Sequence, residues 1–163
     1  MNNMPKRIID EIDKNILSAL QQDGRLSNVE LANKVGLSES ACLRRVKLLE
    51  ESGIIDRYVM LIDQTAAGFP STIFVSITLD GQQQEKLVEF EQSIGRIKEV
   101  MECFLMSGGA DYLLRVICKD NDAFIDIHSK ITSLPSVQRI TSSFALRTVI
   151  KKTQIPLNIT ESN

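Results

Sequence analysis

Two amphipathic segments separated by only Gly36-Leu37-Ser38 constrain most strongly how the first third of this chain can fold. Before that break, Ser27 followed by Glu30 has the spacing of a capping box, which starts a helix by satisfying exposed backbone N–H groups. After it, Ser38 can cap a further helix that ends near Gly53. A glycine-containing turn of this length packs two short helices together, provided that a third helix covers their shared apolar face.

A covering helix is predicted over residues 8–20, where apolar side chains recur every three or four residues. Asp10, Glu11 and Asp13 crowd its start and complement the helix dipole. Gly24 is expected to end this helix in the left-handed conformation. Residues 54–62 then form a predicted extended segment rich in β-branched and aromatic side chains. We therefore predict a winged-helix-like helix-turn-helix domain over residues 1–62.

Residues 63–163 predict a second domain in which strand-like and helix-like patterns alternate. The predicted elements, in chain order, are Ser71–Leu79, 82–94, 99–106, 112–118, 121–134 and 137–150. The order β-α-β-β-α-β is that of a ferredoxin-like α+β fold, with both helices on one face of an antiparallel sheet. The uncovered apolar face predicts a dimer.

The formal charge of −2 gives no general support for nucleic-acid binding. Residues 1–62 hold nine Lys/Arg and nine Asp/Glu, and residues 63–163 hold ten and twelve. Local clustering must therefore decide, because phosphate attraction acts over about 8 Å at physiological salt. Residues 38–49 hold three basic side chains against the single acid Glu39, a local net charge of +2.

The basic residues of the third helix predict a DNA-reading surface. Ser40, Arg44 and Lys47 lie at helical spacings of four and three, with Arg45 beside them. An arginine fork can bond guanine O6 and N7 together, and serines at a helix start can bond phosphates. The predicted DNA contacts are Ser38, Ser40, Ala41, Arg44, Arg45 and Lys47, of which the two arginines are the main candidates. The alternative is an ordinary solvated helix face.

Other functional classes find little support in the sequence. No apolar run approaches the ~20 residues of a membrane span, and the charged N-terminus is unlike a signal peptide, so a cytoplasmic protein is expected. Cys42, Cys103 and Cys118 lack metal-ligand spacing and are expected to be reduced, buried packing residues, with no metal site. His128 has no paired nucleophile, so we expect no enzymatic activity.

The chain resembles, over nearly its whole length, the leucine-responsive and asparagine-responsive (Lrp/AsnC) regulators of bacteria and archaea, also called feast/famine regulatory proteins. The matching stretches are Asp13-Lys14-Asn15-Ile16-Leu17, Asp23-Gly24-Arg25, Val29-Glu30-Leu31-Ala32, Val35-Gly36-Leu37-Ser38, Arg44-Arg45-Val46 to Leu49-Glu50, Gly53-Ile54-Ile55, and Ser107-Gly108 with Asp111-Tyr112-Leu113-Leu114. Together these stretches are specific, whereas each is weak alone.

The resemblance implies a transcription regulator that binds double-stranded DNA through the helix-turn-helix. It implies a sensing domain that dimerises through its sheets, with dimers often joining into octamers, and an amino-acid effector in place of any cofactor. In this family the effector binds between dimers, near the loop before the third strand of the sensing domain. The implied effector-binding residues are Met106, Ser107, Gly108, Gly109, Ala110, Asp111 and Tyr112, with Thr141 and Ser143 on the final strand.

The chemistry of that loop agrees with such a site. Gly108 and Gly109 allow close backbone approach to a ligand, and Asp111 could pair with an ammonium group. The alternative is a plain hairpin turn, in which glycines supply positive φ angles. Many family members carry a polar residue where this chain has Gly109. An apolar amino acid such as leucine or methionine is favoured by the neighbouring side chains, which are Leu105, Met106, Ile140 and Phe144.

Two other functions are compatible with the same pattern. An amino-acid-binding ferredoxin-like module could use its helical domain to dock a protein instead of DNA. An enzyme is the less favoured alternative, since ferredoxin-like dimers also host catalysis. DNA binding that depends on the third helix would separate the regulator from both.

Overall fold

The computed structural model describes residues 9–158 and consists of two compact units. Of the described residues, the helical unit contains 9–61 together with 150–158, and the sheet unit is Ile62–Val149. The elements in chain order are α1 (Glu11–Gln22), α2 (Asn28–Val35), α3 (Glu39–Glu51), β1 (Ser71–Leu79), α4 (Gln84–Ile94), β2 (Val100–Leu105), β3 (Tyr112–Cys118), α5 (Asn121–Thr132) and β4 (Val137–Phe144).

Side-chain caps define where the three helices of the helical unit begin. Asp10 accepts a hydrogen bond from the backbone N–H of Asp13, so α1 begins at Glu11, three residues later than predicted. Ser27 and Glu30 form the predicted capping box at the start of α2, and Ser38 caps α3. The three helices pack around a core of fully buried side chains such as Ile16, Cys42 and Leu49.

Two glycines at helix ends behave differently from each other. Gly36 ends α2 in the left-handed region with φ +70°. Gly24 was expected to do the same for α1, and this prediction is wrong because φ of Gly24 is not positive. The chain instead leaves α1 through Asp23 in an extended conformation, which any residue can adopt.

The segment after α3 forms no strand in the structure. Residues 54–62 were predicted to be extended and strand-like, but they pair with no strand among residues 9–158. Val59, Met60, Leu61 and Ile62 are each at least 63% exposed.

The sheet unit has the predicted ferredoxin-like order, with an antiparallel sheet arranged β2-β3-β1-β4. Alternate side chains of β1 and β3 are buried against Phe90 of α4 and Ile131 of α5. Both helices therefore cover one face, as the period-two pattern of β1 requires. The last strand ends at Phe144, six residues earlier than predicted.

The face of the sheet away from α4 and α5, here called the open face, is partly apolar. Phe74 and Phe104 lie on this face and are 40% and 51% exposed. Arg115 and Glu102 form an ion pair between them across β3 and β2, with Nε and Oε2 2.7 Å apart. The face therefore combines exposed aromatic side chains with an ion pair. A dimer formed through this face stays a prediction.

The C-terminal segment departs from the predicted domain limits. Residues 63–163 were assigned to one domain, but from Ile150 onward the chain belongs to the helical unit. The physical reason is that Leu157 packs against the core of the three helices. Burial of an apolar side chain over 130 residues from α1 is not visible to local periodicity.

The two glycines provide a matched test of the turn between α2 and α3. Gly36→Ala should lower the free energy of unfolding by about 1–2 kcal/mol, since an alanine in the left-handed region brings Cβ close to the backbone carbonyl. Gly24→Ala should change it by less than about 0.5 kcal/mol, because its Cβ would make only ordinary contacts. Urea unfolding followed by circular dichroism measures both, and equal effects would contradict the turn geometry.

Candidate nucleic-acid interface and effector loop

The start of α3 is fixed by two polar contacts. The hydroxyl of Ser38 accepts a hydrogen bond from the backbone N–H of Ala41, and the Asn28 side chain donates to the carbonyl of Glu39 at 2.8 Å. The second contact joins α2 to α3 across the turn. The N-terminus of α3, where unpaired N–H groups favour anions, is thereby held in one orientation.

Three of the predicted DNA contacts share one exposed face of α3. Ser40, Arg44 and Lys47 are all exposed, whereas Cys42 and Leu49 on the opposite face are fully buried. Ser38 is exposed and Ala41 is half-buried beside them. The arrangement places two cations and a hydroxyl on a single stripe, and within residues 9–158 neither Arg44 nor Lys47 forms an ion pair.

Arg45 does not share this stripe, contrary to its predicted role. Its Nη1 lies 2.8 Å from Asp10 Oδ2 and 2.9 Å from Asp13 Oδ1, and its side chain is only 20% exposed. One residue along a helix turns a side chain by about 100°, which directs Arg45 towards the start of α1 while Arg44 faces outward. Arg45 is therefore engaged with carboxylates of its own chain, and the outward stripe carries two cations instead of three.

Arg45, Asp10 and Asp13 form a group of charged side chains, here called the Arg45 cluster. The cluster gives the two carboxylates a role besides the predicted one of complementing the helix dipole. The side chain of Asp13 is 2% exposed, and Arg45 supplies positive charge 2.9 Å from this buried carboxylate. The hydrogen bond from the backbone N–H of Asp13 lowers the pKa of Asp10 below its usual 3.8, and Arg45 lowers it further. Because the pKa of Asp10 is lower in the folded chain than in the unfolded chain, its ionised carboxylate stabilises the fold at pH values above the unfolded pKa. This contribution to the free energy of unfolding is lost as the pH falls below about 4.

Asp111 holds the predicted effector loop in place. Its Oδ2 accepts a hydrogen bond from the backbone N–H of Leu79 at 2.8 Å, and its Oδ1 accepts one from the Gln82 side chain at 2.6 Å. The residue is 8% exposed. A carboxylate bound in this way fixes the loop to the end of β1, a role that the proposed pairing with an ammonium group did not include.

Tyr112 belongs to the core of the sheet unit. Its ring lies 4.6 Å from that of Phe90 between centroids, and its hydroxyl donates to Glu91 Oε1 at 2.8 Å. Burial, followed by the nearby Glu91 carboxylate, raises the pKa of this phenol. The side chain thus points under the sheet, away from the exposed part of the loop.

The outer part of the loop, Met106 to Gly109, is exposed, and Ala110 is half-buried. Neither Gly108 nor Gly109 has a positive φ, and a Cβ on either would meet no atom of the described chain within 4 Å. A simple hairpin turn with left-handed glycines does not account for them. Glycine at these positions is required only if something outside the chain approaches the loop backbone closely.

Thr141 and Ser143 lie at a distance from this loop. They are exposed on the open face of β4, where they pair with Ser76 and Phe74 of β1. Because β1 separates β4 from β3, two strand spacings, or about 10 Å, lie between β4 and β3. A single copy of the chain therefore does not bring these two residues together with the loop.

Cys42 and Cys118 are buried as predicted, whereas the prediction is wrong for Cys103, which is exposed on β2. Two kinds of site or segment are absent from residues 9–158. They contain no cluster of three or more His, Cys, Asp or Glu side chains that could hold a metal ion. None of their helices has the length and apolar character needed to cross a bilayer.

Comparison with protein families finds matches in both units. Residues 9–56 match the winged helix-turn-helix DNA-binding family, and residues 72–155 match the Lrp/AsnC ligand binding domain. The chain is 43% identical over 150 residues to the Bkd operon transcriptional regulator of Pseudomonas aeruginosa, covering 91% of this chain and 98% of that protein. It is 41% identical over 120 residues to the leucine-responsive regulatory protein of Escherichia coli, covering 74% and 73%.

Solved structures share the fold. A regulator of the AsnC family from Agrobacterium tumefaciens has a TM-score of 0.88 at 36% identity, covering 91% of this chain and 97% of that one. A transcriptional regulator from Neisseria meningitidis, solved in complex with L-Met, has a TM-score of 0.87 at 36% identity and the same coverage. The relatives with assigned functions are transcription regulators, and the expected α+β architecture is confirmed.

The Arg45 cluster can be tested by a double-mutant cycle. Arg45→Met should lower the free energy of unfolding of the helical unit by about 3 kcal/mol, because it removes a cation that is hydrogen-bonded to the buried Asp13 carboxylate. Arg45→Met combined with Asp13→Asn should cost less than the two single changes together, since the two side chains interact. Arg44→Met is the matched control and should be nearly neutral. Additive costs in urea unfolding would contradict the cluster.

Proposed function

Because the chain belongs to the Lrp/AsnC family of transcription regulators, we propose that it reads its operator through Ser40, Arg44 and Lys47 of α3 and responds to an apolar amino acid at the loop 106–110. It is a DNA-binding transcription regulator with a ligand-binding domain. We propose the residues that contact the DNA, the identity of the effector and the way in which copies of the chain assemble.

The observation that carries the DNA-reading proposal is the division of α3 into two faces. Ser40, Arg44 and Lys47 are exposed, while Cys42 and Leu49 anchor the helix in the core. A helix held by its buried side can enter the major groove with its exposed side. Arg44 has the fork geometry for a guanine, and Lys47 suits a phosphate.

Arg45 acts in this proposal as a positioning residue. By joining α3 to Asp10 and Asp13 of α1, it fixes the rotation of α3 about its own axis. Small changes in that rotation would move Arg44 away from a base edge, since bidentate contacts tolerate little misalignment. Loss of Arg45 should therefore weaken DNA binding indirectly, through the fold of the helical unit.

An apolar amino acid, leucine or methionine, is the effector that the loop favours. Leu105 and Met106 beside the loop are 62% and 43% exposed, and the backbone at Gly108 and Gly109 is open to approach. The Neisseria meningitidis structure contains L-Met, and the Escherichia coli relative is named as leucine-responsive. Both names support an apolar amino acid here without choosing between the two.

Assembly completes the proposal. The exposed Phe74 and Phe104 on the open face would be covered in a homodimer, and dimers would join into an octamer. Thr141 and Ser143 would contact an effector only if another copy approaches the same face. An effector held between copies shifts their assembly, or their affinity for DNA, by its differential affinity for the two states.

The DNA-reading surface predicts distinct effects for neighbouring residues. Arg44→Ala should weaken binding to a fragment carrying the chain's own promoter by about 1–3 kcal/mol and relax the base preference at one position. Lys47→Ala should weaken binding similarly across sequences and reduce the salt dependence. Lys98→Ala, an exposed residue of the sheet unit, serves as the control. Fluorescence anisotropy at several salt concentrations measures all three, and an unchanged Arg44→Ala affinity would refute the proposed contact.

The effector proposal is tested by calorimetric titration with each of the twenty amino acids. Leucine or methionine should bind, and Gly109→Val should weaken that binding at least about tenfold, because its side chain would occupy space needed by the ligand. The same change should leave unfolding nearly unaffected, since nothing in the described chain lies within 4 Å of a Cβ there. Gln92→Ala, which changes an exposed side chain of α4, is the control. Binding of polar amino acids alone would contradict the proposal.

A further inference from the structure

The segment that follows β4 returns to the helical unit and attaches there. We name residues 150–158 the C-terminal strap. The side-chain amide of Gln21 donates from Nε2 to the carbonyl of Ile155 at 3.1 Å, and the N–H of Ile155 donates to Gln21 Oε1 at 2.6 Å. One primary amide therefore satisfies both backbone groups of one strap residue, as a neighbouring β-strand would.

An apolar contact provides the second anchor of the strap. Leu157 is half-buried and packs against the core formed by α1, α2 and α3. Pro156 stands between the two anchors and restricts Ile155 to extended backbone conformations. This restriction reduces the conformational freedom that the strap loses when it docks. The side chain of Ile155 is 70% exposed and takes little part in the attachment.

The attachment has the character of a reversible contact. Both hydrogen bonds to Gln21 are exposed to solvent, and the strap from Ile150 to Pro156 is exposed along its length. Solvent-exposed hydrogen bonds exchange readily with water and contribute little net stability. Segments with few buried contacts open at low free-energy cost, well before the domain unfolds.

The strap follows closely after β4, the strand that carries Thr141 and Ser143. Only residues 145–149 separate the end of β4 from the start of the strap. The chain thus passes between the two units twice, once at Leu61–Ile62 and once at Val149–Ile150. Docking of the strap converts a single connection into two, which restricts the conformational freedom of the helical unit.

We propose that the strap is a releasable second tether, whose docking on the helical unit raises the affinity of that unit for DNA. This inference rests on the proposed function, because it concerns how the sensing domain influences DNA binding. A tethered helical unit is preorganised and loses less freedom on binding DNA, so the docked form binds more tightly. An effector that binds better to either the docked or the released form would shift the docking equilibrium by its differential affinity.

Substitutions at Ile155 separate docking from side-chain effects in the full-length protein. Ile155→Pro removes the N–H that donates to Gln21, whereas Ile155→Ala keeps both backbone groups and is the matched control. Leu157→Ala weakens the apolar anchor, and Gln21→Ala removes the bonding amide, with the adjacent exposed Gln22→Ala as its control. Hydrogen–deuterium exchange at the amide of residue 155 should become about tenfold faster in Leu157→Ala and in Gln21→Ala, stay unchanged in Ile155→Ala, and stay unchanged in α5 for every variant.

Binding to the promoter fragment then tests the role of docking. Ile155→Pro, Leu157→Ala and Gln21→Ala should each bind about three- to tenfold more weakly than the wild type, and the two controls should match it. Any shift in affinity caused by L-leucine or L-methionine in the wild type should become smaller in the docking variants.

Two results would overturn the inference. The first is an Ile155 amide that exchanges at the unprotected rate in the wild type. The second is a docking variant whose strap is released while its DNA affinity equals that of the wild type. Failure of the proposed function would look different, because Arg44→Ala and the wild type would then bind the fragment equally, whereas a failed tether leaves that difference intact.

Discussion

Arg45 of α3 forms ion pairs with Asp10 and Asp13 at the start of α1, and the helical unit depends on this interaction. It joins positions 32 and 35 residues apart in the chain and compensates an almost fully buried carboxylate, that of Asp13. A buried ion pair often adds little net stability, yet removing one partner is costly because the other charge is left unpaired. The pair therefore acts mainly to specify one orientation of α3, the helix that presents Arg44 and Lys47.

Adjacent arginines consequently have different functions in this account. Arg44 and Arg45 are the same residue type and carry the same charge. The helix directs Arg44 outward and Arg45 towards the carboxylates of the Arg45 cluster. The domain is close to neutral overall, and in the proposed function its attraction for DNA comes from the short stripe at Ser40, Arg44 and Lys47. Local charge and fixed orientation together replace the general basicity found in many nucleic-acid-binding domains.

Periodicity and capping residues predicted most of the elements because these signals are local. The Ser27–Glu30 box, the Ser38 cap and the alternation in β1 were all visible in the sequence. Contacts across elements were not predictable in the same way. Three such contacts join segments whose proximity depends on the tertiary fold. They are the ion pair of Arg45 with Asp10, the hydrogen bond between Asp111 and Leu79, and the packing of Leu157 against the helical core.

A crystal structure of the full-length chain bound to its operator tests the central claim most directly, since it shows both arginines at once. The account predicts that Arg44 and Lys47 lie against the DNA while the Arg45 guanidinium keeps its bonds to Asp10 and Asp13. A structure in which Arg45 has left Asp13 to contact a base edge or a phosphate would contradict it.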